Sequence, residues 1–193
     1  MLEIETSFGL ARAEVRVSAE SRGALVLGHG AGGGIGAPDL VAVARAAESE
    51  QISVVLVEQP YRVAGRRSPA PARQLDGAWV AVVAQLQSDA LAGLPLVVGG
   101  RSSGARVACR TAVATGAVGV LCLAFPLQPP RRFLMFDVPG RKPTFLPPFL
   151  RKNNLQASAV ADLGDALTQP SQRTANLTGR ARVHCVRSCT PEV

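Results

Sequence analysis

Short apolar runs alternate with segments of helical spacing along the first two-thirds of the chain. Leu2–Phe8 and Ala11–Val17 read as strands. In the second, Arg12, Glu14 and Arg16 alternate with Ala11, Ala13, Val15 and Val17, the two-residue period of a half-exposed strand. The pair predicts an antiparallel hairpin. Gly23–Leu27 is a short buried strand that runs into the glycine-rich stretch Gly28–Gly34. Pro38 suits the first turn of a helix, and Leu40, Val43, Ala44 and Ala47 give that helix one apolar face. Ser53–Val57 is a strand rich in β-branched residues, closed by Glu58-Gln59-Pro60, and Tyr61–Arg73 reads as a loop. Leu75, Ala78, Trp79, Val82, Val83 and Leu86 follow helical spacing. Leu96–Val98 is a strand that ends in a predicted turn at Gly99-Gly100. Ala105, Ala108, Cys109, Ala112 and Val113 then share a helix face opposite Arg106 and Arg110, with Gly116 placed to stop the helix. Val118–Phe125 is a further buried strand.

Buried strands alternating with amphipathic helices over 23–125 predict an α/β fold, a mostly parallel sheet covered on both faces with right-handed crossovers. From Pro126 the pattern fails. Seven prolines between Pro126 and Pro148 break any helix or central strand there. Beyond them, Leu155–Leu167 is a candidate helix weakened by Gly164, and Ala181–Val186 a candidate strand. No internal repeat is visible.

Composition sharpens this division. At 193 residues, 47% hydrophobic and 18% charged, the chain is expected to be one globular domain. The net charge of +7 is uneven. Residues 1–128 carry 11 arginines against 10 acids. Residues 129–193 carry 10 basic residues against 4 acids, and hold both lysines and four of the six phenylalanines. The expected organisation is therefore a core over 1–128 and a divergent basic, proline-rich segment over 129–193. A frameshift or fusion near residue 130 would produce such a break. The basic charges are scattered rather than clustered, so no nucleic-acid or membrane partner is expected. No apolar leader core follows Met1, and the longest apolar run is too short to span a bilayer, so a soluble cytoplasmic protein is expected. The four cysteines show no disulfide framework. Cys185 and Cys189, with His184, make at best a weak metal pattern, and no metal is expected.

The candidate chemistry lies in Gly100-Arg101-Ser102-Ser103-Gly104, between a strand and a helix. This is the context in which a G-x-S-x-G sequence becomes a nucleophile elbow. Ser102 has glycine at both −2 and +2, so it rather than Ser103 is the expected nucleophile. The Ser103 N–H, at a helix start, and the Ala31 N–H, in the glycine loop, are the expected oxyanion donors. His29 is expected to orient that loop rather than act as a base. Trp79 is expected in the core. Arg62, Arg66 and Arg67 either meet an anionic substrate or sit on a solvated loop.

Residues 1–128 resemble the α/β-hydrolases, and most closely the KANL3/Tex30 α/β-hydrolase-like family, a relative of the dienelactone hydrolases. The resemblance rests on Gly28-His29-Gly30-Ala31-Gly32-Gly33, Glu58-Gln59-Pro60-Tyr61-Arg62 and Gly99-Gly100-Arg101-Ser102-Ser103-Gly104-Ala105-Arg106. It implies a three-layer α/β-hydrolase sandwich and cofactor-free hydrolysis of an ester-like or other acyl bond in a small-molecule substrate. Members continue with an acid turn and a histidine loop, and neither motif is visible after Pro130. The chain order allows Asp162 or Asp165 as acid and His184 as base, although His184 lies within a strand-like run. The last strands of the sheet are expected to be missing or irregular. That would leave an open edge suited to self-association.

Two other readings compete. One is a hydrolase-like scaffold that lacks a base and acid. The other is a dinucleotide site, because Gly28, Gly30 and Gly33 match G-x-G-x-x-G and Glu58 ends the next strand. The helix predicted from Pro38 starts too late for that motif. If a frameshift made the break, another reading frame downstream of codon 130 will encode an acid turn and a histidine loop. Sequencing that shows neither excludes it.

Overall fold

The computed structural model of the protein describes residues 1–124 and the strand Arg182–Val186. β1 (Leu2–Thr6) and β2 (Gly9–Arg16) form the expected hairpin, with Thr6 opposite Gly9 at its turn. β3 (Gly23–Gly28), α1 (Pro38–Ser49), β4 (Ile52–Glu58), α2 (Pro60–Val63), α3 (Ala72–Ser88), β5 (Leu96–Arg101), α4 (Ser103–Thr111), β6 (Gly119–Leu123) and β7 (Arg182–Val186) follow. The strands make one seven-stranded sheet in the order β1-β2-β4-β3-β5-β6-β7. β1, β2 and β4 pair antiparallel; every pair from β4 to β7 is parallel.

Alternation along the central strands separates two cores. Ala24 and Val26 of β3 and Val55 and Val57 of β4 face the layer of α3 and α4, where Trp79, Val83, Ala105 and Ala108 are buried. Leu25, Leu27, Val54 and Leu56 face α1 through Leu40, Val43, Ala44 and Ala47. These are the helix positions that the 3.6-residue period selects. The result is a three-layer α/β sandwich.

Four local expectations change. β5 does not turn at Gly99-Gly100 but runs to Arg101, because Gly99 and Gly100 are paired on both sides, with Leu27 and Gly28 of β3 and Leu121 and Cys122 of β6. α4 ends at Thr111, so Val113, expected on the apolar face, is 83% exposed. The Thr115 hydroxyl bonds the Thr111 and Ala112 carbonyls, and Gly116 at φ +64° closes the turn. The segment read as a loop from Tyr61 to Arg73 contains α2, opened by Pro60, and the first residues of α3. Finally, the sheet does not stop at β6. β7 pairs along it from Gly119↔Arg182 to Leu123↔Val186, so the predicted open edge at β6 is covered. The candidate helix Leu155–Leu167 lies outside the described residues.

Trp79 has no exposed surface and its ring edge packs against Gly28 at the end of β3. Trp79→Ala is expected to lower the unfolding free energy by about 3–5 kcal/mol in urea denaturation, the range for a large aromatic removed from a core. A loss below about 1 kcal/mol would show that this layer is not packed around it.

Candidate active site

Ser102 links β5 to α4 with φ 50° and ψ −100°. A non-glycine residue holds such a conformation only when its surroundings over-determine it. Here three groups do so. The Ser102 N–H donates to the Leu123 carbonyl of β6 at 2.9 Å, and the Arg106 N–H donates to the Ser102 carbonyl at 3.2 Å. The third is close backbone approach. A Cβ on Gly100 would overlap the Gly28 carbonyl oxygen, and one on Gly104 would overlap the Gly28 carbonyl and lie 2.8 Å from the His29 carbonyl oxygen. Both flanking glycines are therefore required by space.

The ends of β3 and β5 bring the glycine-rich loop to this turn. A Cβ built on Gly30 would lie 3.8 Å from Ser102 Cβ. The Ala31 and Ser103 N–H groups donate to no group among the described residues. Ser103 is the first residue of α4, where amides lack helical acceptors and the helix dipole favours negative charge. Across the loop, the Tyr61 hydroxyl donates to the Ala31 carbonyl at 3.2 Å, and its burial raises its pKa.

His29 is 2% exposed. Its Nδ1 lies 2.8 Å from the Gly30 carbonyl oxygen, and its Nε2 accepts the Gln59 N–H at 3.1 Å. Both ring nitrogens are occupied in a neutral imidazole that carries its proton on Nδ1. It ties the end of β3 to the end of β4, and neither nitrogen is free to take a proton from Ser102.

His184 lies in β7 opposite Leu121, and Leu121 is itself opposite Gly99. That puts His184 level with a residue three positions before Ser102, about 10 Å short along the strand direction. The register does not bring His184 to the elbow. Asp162 and Asp165 lie outside the described residues. Gly33 precedes the start of α1 by five residues, so the third glycine of the dinucleotide pattern is not on the helix. Among the described residues, no group of three or more His, Cys, Asp or Glu side chains is placed to hold a metal. No helix there is long and apolar enough to cross a membrane.

Two clefts, of about 480 and 330 Å³, share Tyr61, Arg66, Ala70 and Gln74. Ser102 lines neither. Of their lining residues, Tyr61 is the one that bonds the glycine loop, and Arg66 and Arg67 are exposed on the wall of the larger cleft. The sequence reading missed one feature of the site, an ion pair between Arg101 Nε and Asp39 Oδ2 at 2.9 Å. These residues are 62 positions apart, and only the fold joins them.

A sequence model of an alpha/beta hydrolase domain matches residues 21–136. The chain belongs to that family. The match runs from β3 through the elbow and past the end of β6. Solved structures with this fold include a lidless α/β serine hydrolase of Xanthomonas campestris. It is 20% identical at a TM-score of 0.58, covering 65% of this chain and 60% of that one. The esterase Est1E of Butyrivibrio proteoclasticus, bound to ferulic acid, is 13% identical at 0.56, covering 64% and 52%. A dienelactone hydrolase of Anabaena variabilis is 15% identical at 0.56, covering 63% and 60%. This hydrolase-fold chain thus spans between half and two-thirds of their lengths, and the likeness is one of fold. No curated protein matches it.

Burial lowers the His29 pKa, opposed in part by its bond to Gly30 and by the Glu58 charge. The unfolded chain then takes up this proton more readily than the native one. The stability due to neutral His29 is complete above about pH 6.5 and is lost as the pH falls below it towards the lowered native value. Imidazole ¹⁵N NMR at pH 6 should show His29 neutral with Nδ1 protonated. A titration midpoint near 6.5 would contradict this placement.

Proposed function

We propose that this chain is a serine hydrolase acting on an ester-like or other acyl bond of a small molecule. Ser102 is the nucleophile, and the Ala31 and Ser103 N–H groups form the oxyanion hole. The observation that carries this reading is the Ser102 backbone, at φ 50° and ψ −100° between a parallel strand and a helix. Such strain has a mechanistic use, since it lifts the side chain clear of the sheet. Attack by Oγ on a carbonyl carbon would form an acyl-enzyme as the alcohol leaves, and water would release the acid. Negative charge on the carbonyl oxygen would develop beside the start of α4, where amides await an acceptor. Within the superfamily, the motifs Gly28–Gly33, Glu58–Arg62 and Gly99–Arg106 support a hydrolase of the KANL3/Tex30 type.

A second reading is favoured by one specific observation. Of the chain's two histidines, His29 is committed to Gly30 and Gln59, and His184 is level with Gly99. A hydrolase scaffold without a working base is the reading that arrangement supports.

Hydrolysis of p-nitrophenyl acetate separates the two. Turnover is expected, with Ser102→Ala lowering kcat/KM by at least about 10³-fold and Ser103→Ala by less than about tenfold, because only the backbone of Ser103 takes part. Turnover unaffected by Ser102→Ala overturns the assignment. Absence of turnover from well-folded protein supports the scaffold.

A further inference from the structure

We infer that the Arg101–Asp39 ion pair is a clamp that holds the glycine-rich loop against the elbow, which makes Arg101 a positioning residue for the reaction proposed above. The inference rests on that reading for its catalytic meaning and on independent geometry for the clamp itself.

Between β3 and α1 the chain runs from His29 to Ala37 and includes Gly30, Gly32, Gly33, Gly34 and Gly36. A loop of this composition has many conformations of similar energy, and ordering it is costly. Within the loop, Ile35 and Ala37 pack against the core, but Cβ atoms built on Gly32, Gly33 or Gly36 would meet nothing within 4 Å, so the glycine positions are open. Its internal bonds, Gly33 N–H to Gly30 O and Ala37 N–H to Gly34 O, are both 3.3 Å long. Tyr61 holds the Ala31 carbonyl from α2, and Arg101 adds a tie from the residue next to Ser102.

Arg101 is bonded beyond one end of this loop and lies beside the other. At the exit, Asp39 stands in the first turn of α1, where Oδ1 accepts the Leu40 N–H at 3.0 Å and Oδ2 accepts Arg101 Nε at 2.9 Å. At the entrance, Arg101 Nη1 would lie 3.3 Å from a Cβ on Gly30. The same guanidinium is carried by the residue that precedes Ser102. One side chain, on the nucleophile's own strand, is therefore bonded at the loop's exit and lies beside its entrance. The Asp39 side chain is 16% exposed and that of Arg101 36%. An ion pair this open adds little to global stability. Its effect should appear in catalysis and in local order, which separates positioning from simple structural support.

The test uses Asp39→Asn, which is isosteric and keeps an acceptor for the Leu40 N–H. Arg101→Met keeps the aliphatic stem without the charge, and Arg101→Lys keeps the charge without the fork. For p-nitrophenyl acetate, Asp39→Asn and Arg101→Met should each lower kcat about tenfold with KM changed less than about threefold, since small misplacements act on the transition state. The double variant should be no worse than either single one, and Arg101→Lys should recover part of the loss. Backbone ¹⁵N order parameters of the Gly30–Gly36 amides should fall from near 0.85 towards about 0.6 in Asp39→Asn and Arg101→Met, with the sheet unchanged. Additive losses, or loop amides and kcat unchanged in folded Asp39→Asn protein, overturn the clamp. If the native chain turns over no ester, the hydrolase reading fails, and the loop amides alone then uphold or overturn the clamp.

Discussion

The close approach of Gly28 to Gly100 and Gly104 is the constraint on which the rest of the structure depends. The carbonyl of Gly28, the last residue of β3, occupies space that a Cβ at either position would need. Because β5 and α4 are drawn this near to β3, the link between them has room for one sharply turned residue. Ser102 takes that place at φ 50°. Its conformation costs on the order of 1–3 kcal/mol. The sheet offsets that cost through the Ser102–Leu123 bond and through β3, β5 and β6, whose side chains alternate into two buried layers. Trp79 belongs to the same constraint, since its ring fills the space that Gly28 leaves on the α3 side.

Polar chemistry follows from this packing. His29 comes directly after the tightly approached Gly28, so it is buried, and burial keeps it neutral. A neutral ring that spends both nitrogens on Gly30 and Gln59 is a strut between two strand ends. Beyond it the chain becomes glycine-rich and loosely packed, and its position is held by contacts from outside: the Tyr61 hydroxyl on Ala31 and the Arg101–Asp39 pair at the exit. Rigid sheet, strained serine and externally braced loop make up the proposed site within the described residues. Among the described residues, His29 is committed to Gly30 and Gln59, and His184 is level with Gly99.

How far the sequence reveals this depends on how local each signal is. Helix faces such as Leu40/Val43/Ala44/Ala47 and Leu75/Ala78/Trp79/Val82 are written in adjacent residues, and they pack as their period requires. The serine and its glycines are equally local, because the steric demand falls within five residues. Gly99-Gly100 misleads because glycine is also tolerated inside a strand when neighbours on both sides hold it extended. Val113 misleads because the helical period continues past the point where the backbone turns away at Thr111. The Asp39–Arg101 contact and the register of His184 against Leu121 are invisible in the sequence, since both depend on which strands become neighbours.

The site of covalent modification is the most direct measure of whether the strained residue is the reactive one. A fluorophosphonate forms a phosphorus–oxygen bond at an activated serine as fluoride leaves. Tryptic cleavage after Arg101 and Arg106 then isolates Ser102-Ser103-Gly104-Ala105-Arg106, in which tandem mass spectrometry resolves the two serines. Modification confined to Ser102 is the expected result. Modification of Ser103, or an unmodified peptide from folded protein, would contradict the assignment of Ser102 as an activated nucleophile.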